Sequence, residues 1–414
     1  MVATQPRSAD APTSPGIGNP PRPAPKWWIW LAAWPVTAVF ILSNAATPLY
    51  VLWQRDFGFS KGTMTVVFAC YIAGLLGSLL VSGVASDRLG RKAVLVPALV
   101  LAATACLIFA TANDVLALII ARLLTGIAVG AAVSAGMAAV TDVAGAERKH
   151  LGALFASTAM VLGAGVGPLL SGVLSENAPA PTVTVFLVEI ALLATAFITV
   201  LRMPIGRPEH RGTGSWVRMP RVPIANRRQL LLGIAVFAPG ITATSFVLSL
   251  GPALLSGLLG TASRILAGAM AFAMFLTATA VQFAARSLPR SAIMATSAAA
   301  TAVAMLSLTV AVHGSSANYL IAAALLAGAG QGLGQLGGLS LLNHAVPAAR
   351  LAEANAAFNI GGYIPAGLLP VSAGYLSDAV GLSAGATTFA LTLLALSLVA
   401  AATIRSNRPA ISPT

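Results

Sequence analysis

The sequence predicts an all-α integral membrane protein of twelve transmembrane helices, arranged as two pseudo-symmetric six-helix halves. Three observations predict it. Hydrophobic residues make up 57% of the chain and charged residues only 8%, with a mean hydropathy of +0.87, whereas a soluble domain carries about 25% charge. So little charge cannot cover a water-facing surface, and lipid becomes the expected solvent. Twelve apolar runs are each long enough to cross a bilayer, and Gly, Pro and charged positions recur between the two halves at one fixed spacing.

Residues 1–26 are rich in Pro, Ser and Ala and carry Arg7, Arg22 and Lys26. With neither an apolar core nor a small-residue cleavage site, they read as a disordered cytoplasmic tail rather than a signal peptide. Trp27, Trp28 and Trp30 follow and mark where the first helix enters the headgroup layer. A membrane helix needs about 20 mostly apolar residues. Such runs fall at 27–53, 62–86, 93–112, 115–141, 151–174 and 183–203, then at 229–256, 265–285, 291–313, 317–343, 354–376 and 382–404. They must be helices, because lipid offers no partner to an open strand edge. The basic, Gly- and Pro-containing stretch 204–228 is the expected cytoplasmic linker. It separates a half at 27–203 from a half at 229–404, and residues 405–414 form a C-terminal tail.

The net charge is +13, and its placement decides its meaning. If the N-terminus is cytoplasmic, twenty of the 24 Lys and Arg residues fall on the inner side, and only Arg55, Lys61 and Arg264 lie outside, with Arg122 inside a span. This asymmetry puts both termini in the cytoplasm of a multi-pass cell-membrane protein. The charge then serves membrane lipids rather than nucleic acid. Cys70 and Cys106 lie in apolar runs and lack metal-ligand or disulfide-framework spacing.

An offset of 202 matches Gly126 to Gly328, Gly130 to Gly332, Arg148 to Arg350, Pro168 to Pro370, Gly172 to Gly374, Ser175 to Ser377, and acidic Glu176 to acidic Asp378. Duplication of a helical unit places a binding site between the repeats near the bilayer centre. Gly126-x-x-x-Gly130, Gly328-x-x-x-Gly332 and Gly330-x-x-x-Gly334 set glycines on one helix face, where two helices can approach closely.

Chemistry-bearing residues are few. The loop after the second span reads Gly83-Val-Ala-Ser-Asp87-Arg88-Leu-Gly90-Arg91-Lys92. Gly90 permits a left-handed turn, and Asp87 can face the positive end of a helix dipole. Arg122 and Glu189 are the charges well inside spans. Such groups are expensive in lipid and tend to be functional. Both lie about 9–10 Å from the outer face at the helical rise of 1.5 Å per residue, which is why they are expected to act together on the proton. Asn44, Gln331, Gln335, Asn355 and Asn359 could line a substrate cavity. Gly163-Ala-Gly165-Val-Gly167-Pro168-Leu-Leu-Ser171-Gly172 predicts a thin, bent fifth helix.

The Gly83–Lys92 loop resembles the signature of the major facilitator superfamily, and the resemblance covers roughly residues 27–404. It implies two six-helix halves around a central cavity, with the loop as a cytoplasmic gate that Asp142 joins through Arg88 or Arg91. The corresponding loop in the second half, Arg286-Ser-Leu-Pro-Arg290, lacks the aspartate and glycine. Arg122-Leu-Leu-Thr-Gly126 resembles a second motif of the family, whose buried arginine is tied to proton coupling. The Gly163–Gly172 run and Asn44-Ala-Ala-Thr47-Pro48-Leu-Tyr50 are similar to patterns of the twelve-helix drug:proton antiporter branch. Many relatives carry a carboxylate in the first helix, and this chain has none there.

These residues point to a secondary active transporter working by alternating access, most readily a proton-coupled exporter of a small lipophilic compound. The alternatives are a proton-coupled importer of a sugar, organic acid or amino-acid-like solute, and a non-transporting sensor on the same fold. Nothing in the sequence resembles a nucleophile–base pair, a metal cluster or a nucleotide loop. No enzyme activity, cofactor or metal is therefore expected. The expected partners are a small-molecule substrate, protons and lipids, and the expected state is monomeric.

Overall fold

A computed structural model describes residues 25–206, 215–217, 220–257, 260, 263–347 and 350–407. The expected tails are therefore largely outside the described residues, as is the 207–214 part of the linker. Twelve long helices run in chain order: α1 Trp27–Phe57, α2 Lys61–Leu89, α3 Arg91–Ala110, α4 Val115–Ala144, α5 Ala146–Asn177, α6 Pro181–Arg202, α7 Ile224–Gly257, α8 Arg264–Ala285, α9 Arg290–His313, α10 Ala317–Ala345, α11 Leu351–Val380 and α12 Leu382–Ser406. Among the described residues, eleven of these are long and apolar enough to span a membrane. The exception, α11, is 30 residues long but carries Glu353, Asn355 and Asn359.

Local chemistry explains the boundaries. Ser60, Asp114 and Ser263 each accept a hydrogen bond from a backbone N–H in the first turn of α2, α4 and α8, which satisfies an otherwise orphaned donor. At Gly90 the backbone takes φ +97°, a turn that an L side chain would strain. Within α1 the helix tightens to a 3₁₀ turn over Thr47–Leu49, where Pro48 supplies no N–H. Within α4, residues Ala132–Gly136 form a π-helical segment.

Helices α1 and α7 are the most enclosed, while α6, α8 and α12 each leave most of their apolar window uncovered. Large apolar side chains such as Leu116, Leu368 and Val399 are exposed, the surface a lipid-embedded protein presents. Glycine sets how closely the inner helices approach. A Cβ at Gly126 would overlap the Tyr71 carbonyl of α2, and one at Gly328 or Gly332 would overlap the Met274 or Ala278 carbonyl of α8. The α2–α4 and α8–α10 pairs therefore use the repeated glycines in the same way. The halves meet along α2 with α11 and along α5 with α8. The named close approaches there involve Gly62, Gly172, Gly268 and Gly374, all on the face opposite the basic loops.

Candidate functional site

Arg122 on α4 is completely buried. Its Nε donates to the Tyr50 hydroxyl at 2.6 Å and its Nη1 donates to the Ser43 carbonyl at 2.7 Å. Ser43 lies just before the break in α1. The guanidinium carbon also stands 5.1, 5.7 and 5.8 Å from the ring centres of Tyr50, Phe68 and Tyr71, where ring faces attract a cation. Its Nη2 has no hydrogen-bond partner among the described residues.

Glu189 on α6 is also buried, and its Oε1 has no partner among the described residues. It sits beside the Leu42 backbone of α1 and near Cys106 of α3. The structure does not pair it with Arg122. Each charge instead meets its own backbone position of α1, Arg122 at Ser43 and Glu189 at Leu42.

The central residues are more aromatic than the sequence suggested. Tyr71 on α2 and Tyr363 on α11 are half-buried, one in each half. Tyr363 meets Phe237 edge-on at 6.3 Å, and Phe237 stacks on Phe358 at 4.8 Å. Among the amides, Asn44 donates to Ser43 Oγ at 3.0 Å and to the Ala164 carbonyl of α5 at 3.4 Å, so it ties α1 to α5. Asn359 donates to the Asn355 carbonyl one turn earlier at 2.9 Å. Gln331 and Gln335 are half-buried on α10, and the acceptors Gln331 Oε1 and Asn355 Oδ1 have no partner among the described residues.

At the basic face, Arg91 gathers the signature loop. It donates to Asp87 at 2.6 Å, to Ser86 Oγ at 2.9 Å and to Asp142 of α4 at 2.9 Å. Gly83 lies one turn before Asp87 on α2. Arg88 reaches the linker instead, donating to the Ser215 carbonyl at 3.0 Å with Trp216 stacked at 4.8 Å. These bonds join α2, α3, α4 and the linker. The Gly163–Gly172 run is a packing seam. A Cβ at Gly167 would overlap the Ile41 carbonyl, one at Gly163 would crowd the Thr37 carbonyl, and one at Gly172 would overlap the Arg264 carbonyl. Pro168 lies within α5, and its own carbonyl faces Gly268 of α8.

Sequence reading passed over Tyr50, Phe68, Tyr71 and Tyr363 as site residues. For the three tyrosines the signal was present, since the chain has only 5 tyrosines and a phenol deep in a span needs a polar partner; Phe68 carried none.

The family model described as Major Facilitator Superfamily matches residues 29–288. A curated relative, the 3-(3-hydroxy-phenyl)propionate transporter of Escherichia coli (strain K12), is 37% identical over 91 residues, which is 22% of this chain and 23% of that protein. The match thus spans less than a quarter of that relative's length. Among solved structures, a POT family transporter in complex with 5-aminolevulinic acid superposes with a TM-score of 0.75 at 12% identity, over 93% of this chain and 96% of that one. A bacterial homologue of the human lysosomal transporter Spinster, inward-facing and occupied, gives 0.73 at 13% identity, over 95% and 100%. A D-xylose-proton symporter gives 0.68 at 16% identity, over 91% and 97%. At these identities the likeness is one of fold.

Proposed function

The chain belongs to the Major Facilitator Superfamily and is a secondary transporter rather than an enzyme, and from that premise we propose that it exports a small lipophilic, ring-bearing compound against inward proton flow. The reading takes the basic face as cytoplasmic in a cell-membrane protein, with a monomer of halves 27–203 and 229–404 as the working unit. The observation that carries it is the character of the centre. Tyr71 and Tyr363, half-buried on α2 and α11, offer aromatic surface from both halves, backed by the buried Phe237–Phe358 stack, and the unmet amide acceptors of Gln331 and Asn355 offer only a few orienting contacts. Such a lining suits an apolar solute better than a sugar, which needs many hydrogen bonds. The Gly- and Pro-rich seam of α5 supports the antiporter assignment. Arg122 and Glu189 are the proposed proton-coupling groups, acting through α1 rather than as a direct pair. The Asp87–Arg91–Asp142 cluster is the proposed cytoplasmic gate.

A second reading is proton-coupled uptake of an aromatic carboxylate. The unpartnered Nη2 of Arg122, set among three aromatic rings, has the chemistry to meet a carboxylate whose ring stacks alongside. The relative's printed substrate is of that class. Proteoliposomes with an imposed pH gradient separate the two. Lipophilic compounds moving opposite to protons support export. Aryl carboxylates accumulating with protons overturn it in favour of uptake.

A further inference from the structure

The repeat-matched acids Glu176 and Asp378 play no part in the cavity or the cytoplasmic gate. Each stands at the C-terminal end of the fifth helix of its half, α5 or α11, and each crosses to the other half. Glu176 Oε1 accepts from the backbone N–H of Arg264, from that of Ile265 at 3.0 Å and from Ser263 Oγ at 3.0 Å, all in the first turn of α8. Asp378 accepts from the backbone N–H groups of Lys61 at 2.9 Å and Gly62 at 2.8 Å, in the first turn of α2. The two arrangements match in detail. Each receiving helix opens with a capping serine and a basic residue, Ser263-Arg264 or Ser60-Lys61. Just below each acid, Gly172 or Gly374 lets the helices close without a clash. A carboxylate at a helix N-terminus meets unsatisfied donors and the positive end of the dipole.

The two crossings are not equivalent in strength. Arg264 adds side-chain bonds back to Ser175, at 3.0 Å to its hydroxyl and 2.7 Å to its carbonyl. Beside the first turn of α8, which Glu176 caps, the structure leaves a void of only about 10 Å³, lined by Pro48 and Val51 of α1, Pro252 of α7 and Ala267 of α8 among others. The outer ends of α1, α7 and α8 are therefore closely packed there.

We propose that Glu176 and Asp378 form a paired outer latch that holds the transporter closed to the outside, and that both bonds must release before the cavity opens outward. This rests on the alternating-access reading with the basic face cytoplasmic. The latch is the counterpart, on the outer side, of the charge cluster at the cytoplasmic gate. It bridges the halves directly and exists in two repeat-related copies, so it resists separation of α2 from α11 and of α5 from α8 together.

The test uses the full chain in proteoliposomes, with Cys70 and Cys106 replaced by alanine, and reads conformation by maleimide labelling. An Ala267→Cys probe is buried behind the latch, and a Ser157→Cys probe lies on the inner half of α5, on the face shared at seven-residue spacing with Ala164 and Ser171. Glu176→Gln or Asp378→Asn should raise Ala267→Cys labelling by about three- to ten-fold, the range for charge-assisted bonds at an exposed helix terminus. The double variant should exceed either single change. Ser157→Cys labelling should fall as Ala267→Cys labelling rises, and Glu176→Asp should stay near the parent. Unchanged labelling in the double variant overturns the latch. A rise at both probes signals general loosening and also overturns it. Labelling needs no substrate, so failure to find transport bears on the functional reading, while unchanged labelling bears on the latch.

Discussion

A guanidinium inside a lipid-embedded helix is tolerated only where its donors are met or its charge is used. Arg122 meets part of that condition through Tyr50 and Ser43 and leaves one nitrogen for another partner. Lysine would keep the charge but lose the planar fork that reaches both partners at once. Arg122→Lys should therefore lower transport by about ten-fold or more, a loss comparable to 1.4 kcal/mol, with insertion unchanged in a membrane-fraction assay; parent-level transport would remove Arg122 from the mechanism. Glu189 makes a different demand. Its Oε1 meets no partner among the described residues. Glu189→Gln keeps its shape without its charge, so substrate exchange should persist while gradient-driven accumulation disappears. Full accumulation in that variant would leave Asp142 or another gate residue as the next candidate.

At the scale of the helices, glycine and charge do separate work. The α5 seam closes on α1 because Gly167 lacks a Cβ, so Gly167→Ala should strain the crossing by about 1–3 kcal/mol. It should lower the thermal unfolding midpoint in detergent by a few degrees. Gly77 of α2 has nothing within 4 Å of where its Cβ would sit, so Gly77→Ala is the control and should leave the midpoint unchanged. Equal effects at the two sites would refute the packing account. The gate cluster binds α2, α3 and α4 through Arg91. Asp87→Asn should slow transport while expression stays near normal, because it weakens one arm of an exposed network rather than the core. An unchanged rate would remove Asp87 from the gate.

For the molecule as a whole, the charge asymmetry makes a topological claim. With native cysteines removed, Asn177→Cys should react with an impermeant maleimide in intact cells, and Ser406→Cys only after permeabilisation. The reverse pattern would invert the orientation and with it the direction of the proposed latch. The twelve spans and the glycine pairs of α4 and α10 were legible in the chain. Transfer into lipid is nearly additive over about 20 consecutive residues, so hydropathy locates a helix without knowledge of its neighbours. Even the weakest span, α11, was found, although its amides lower its hydropathy. The repeat spacing singled out Glu176 and Asp378 but not what they touch, because each bonds to the opposite half, 88 and 317 residues away in the chain. Equal depth brought Arg122 and Glu189 together in the reading, yet depth fixes only one coordinate, and the rotation of α4 and α6 about α1 fixes the others. The sequence by itself therefore determined class, span number and the charge asymmetry behind the proposed orientation, since each depends on local composition. Only tertiary structure decided the aromatic surroundings of Arg122, the separation of Glu189 from it and the crossed carboxylates at the outer end, since each depends on which helix faces turn toward one another.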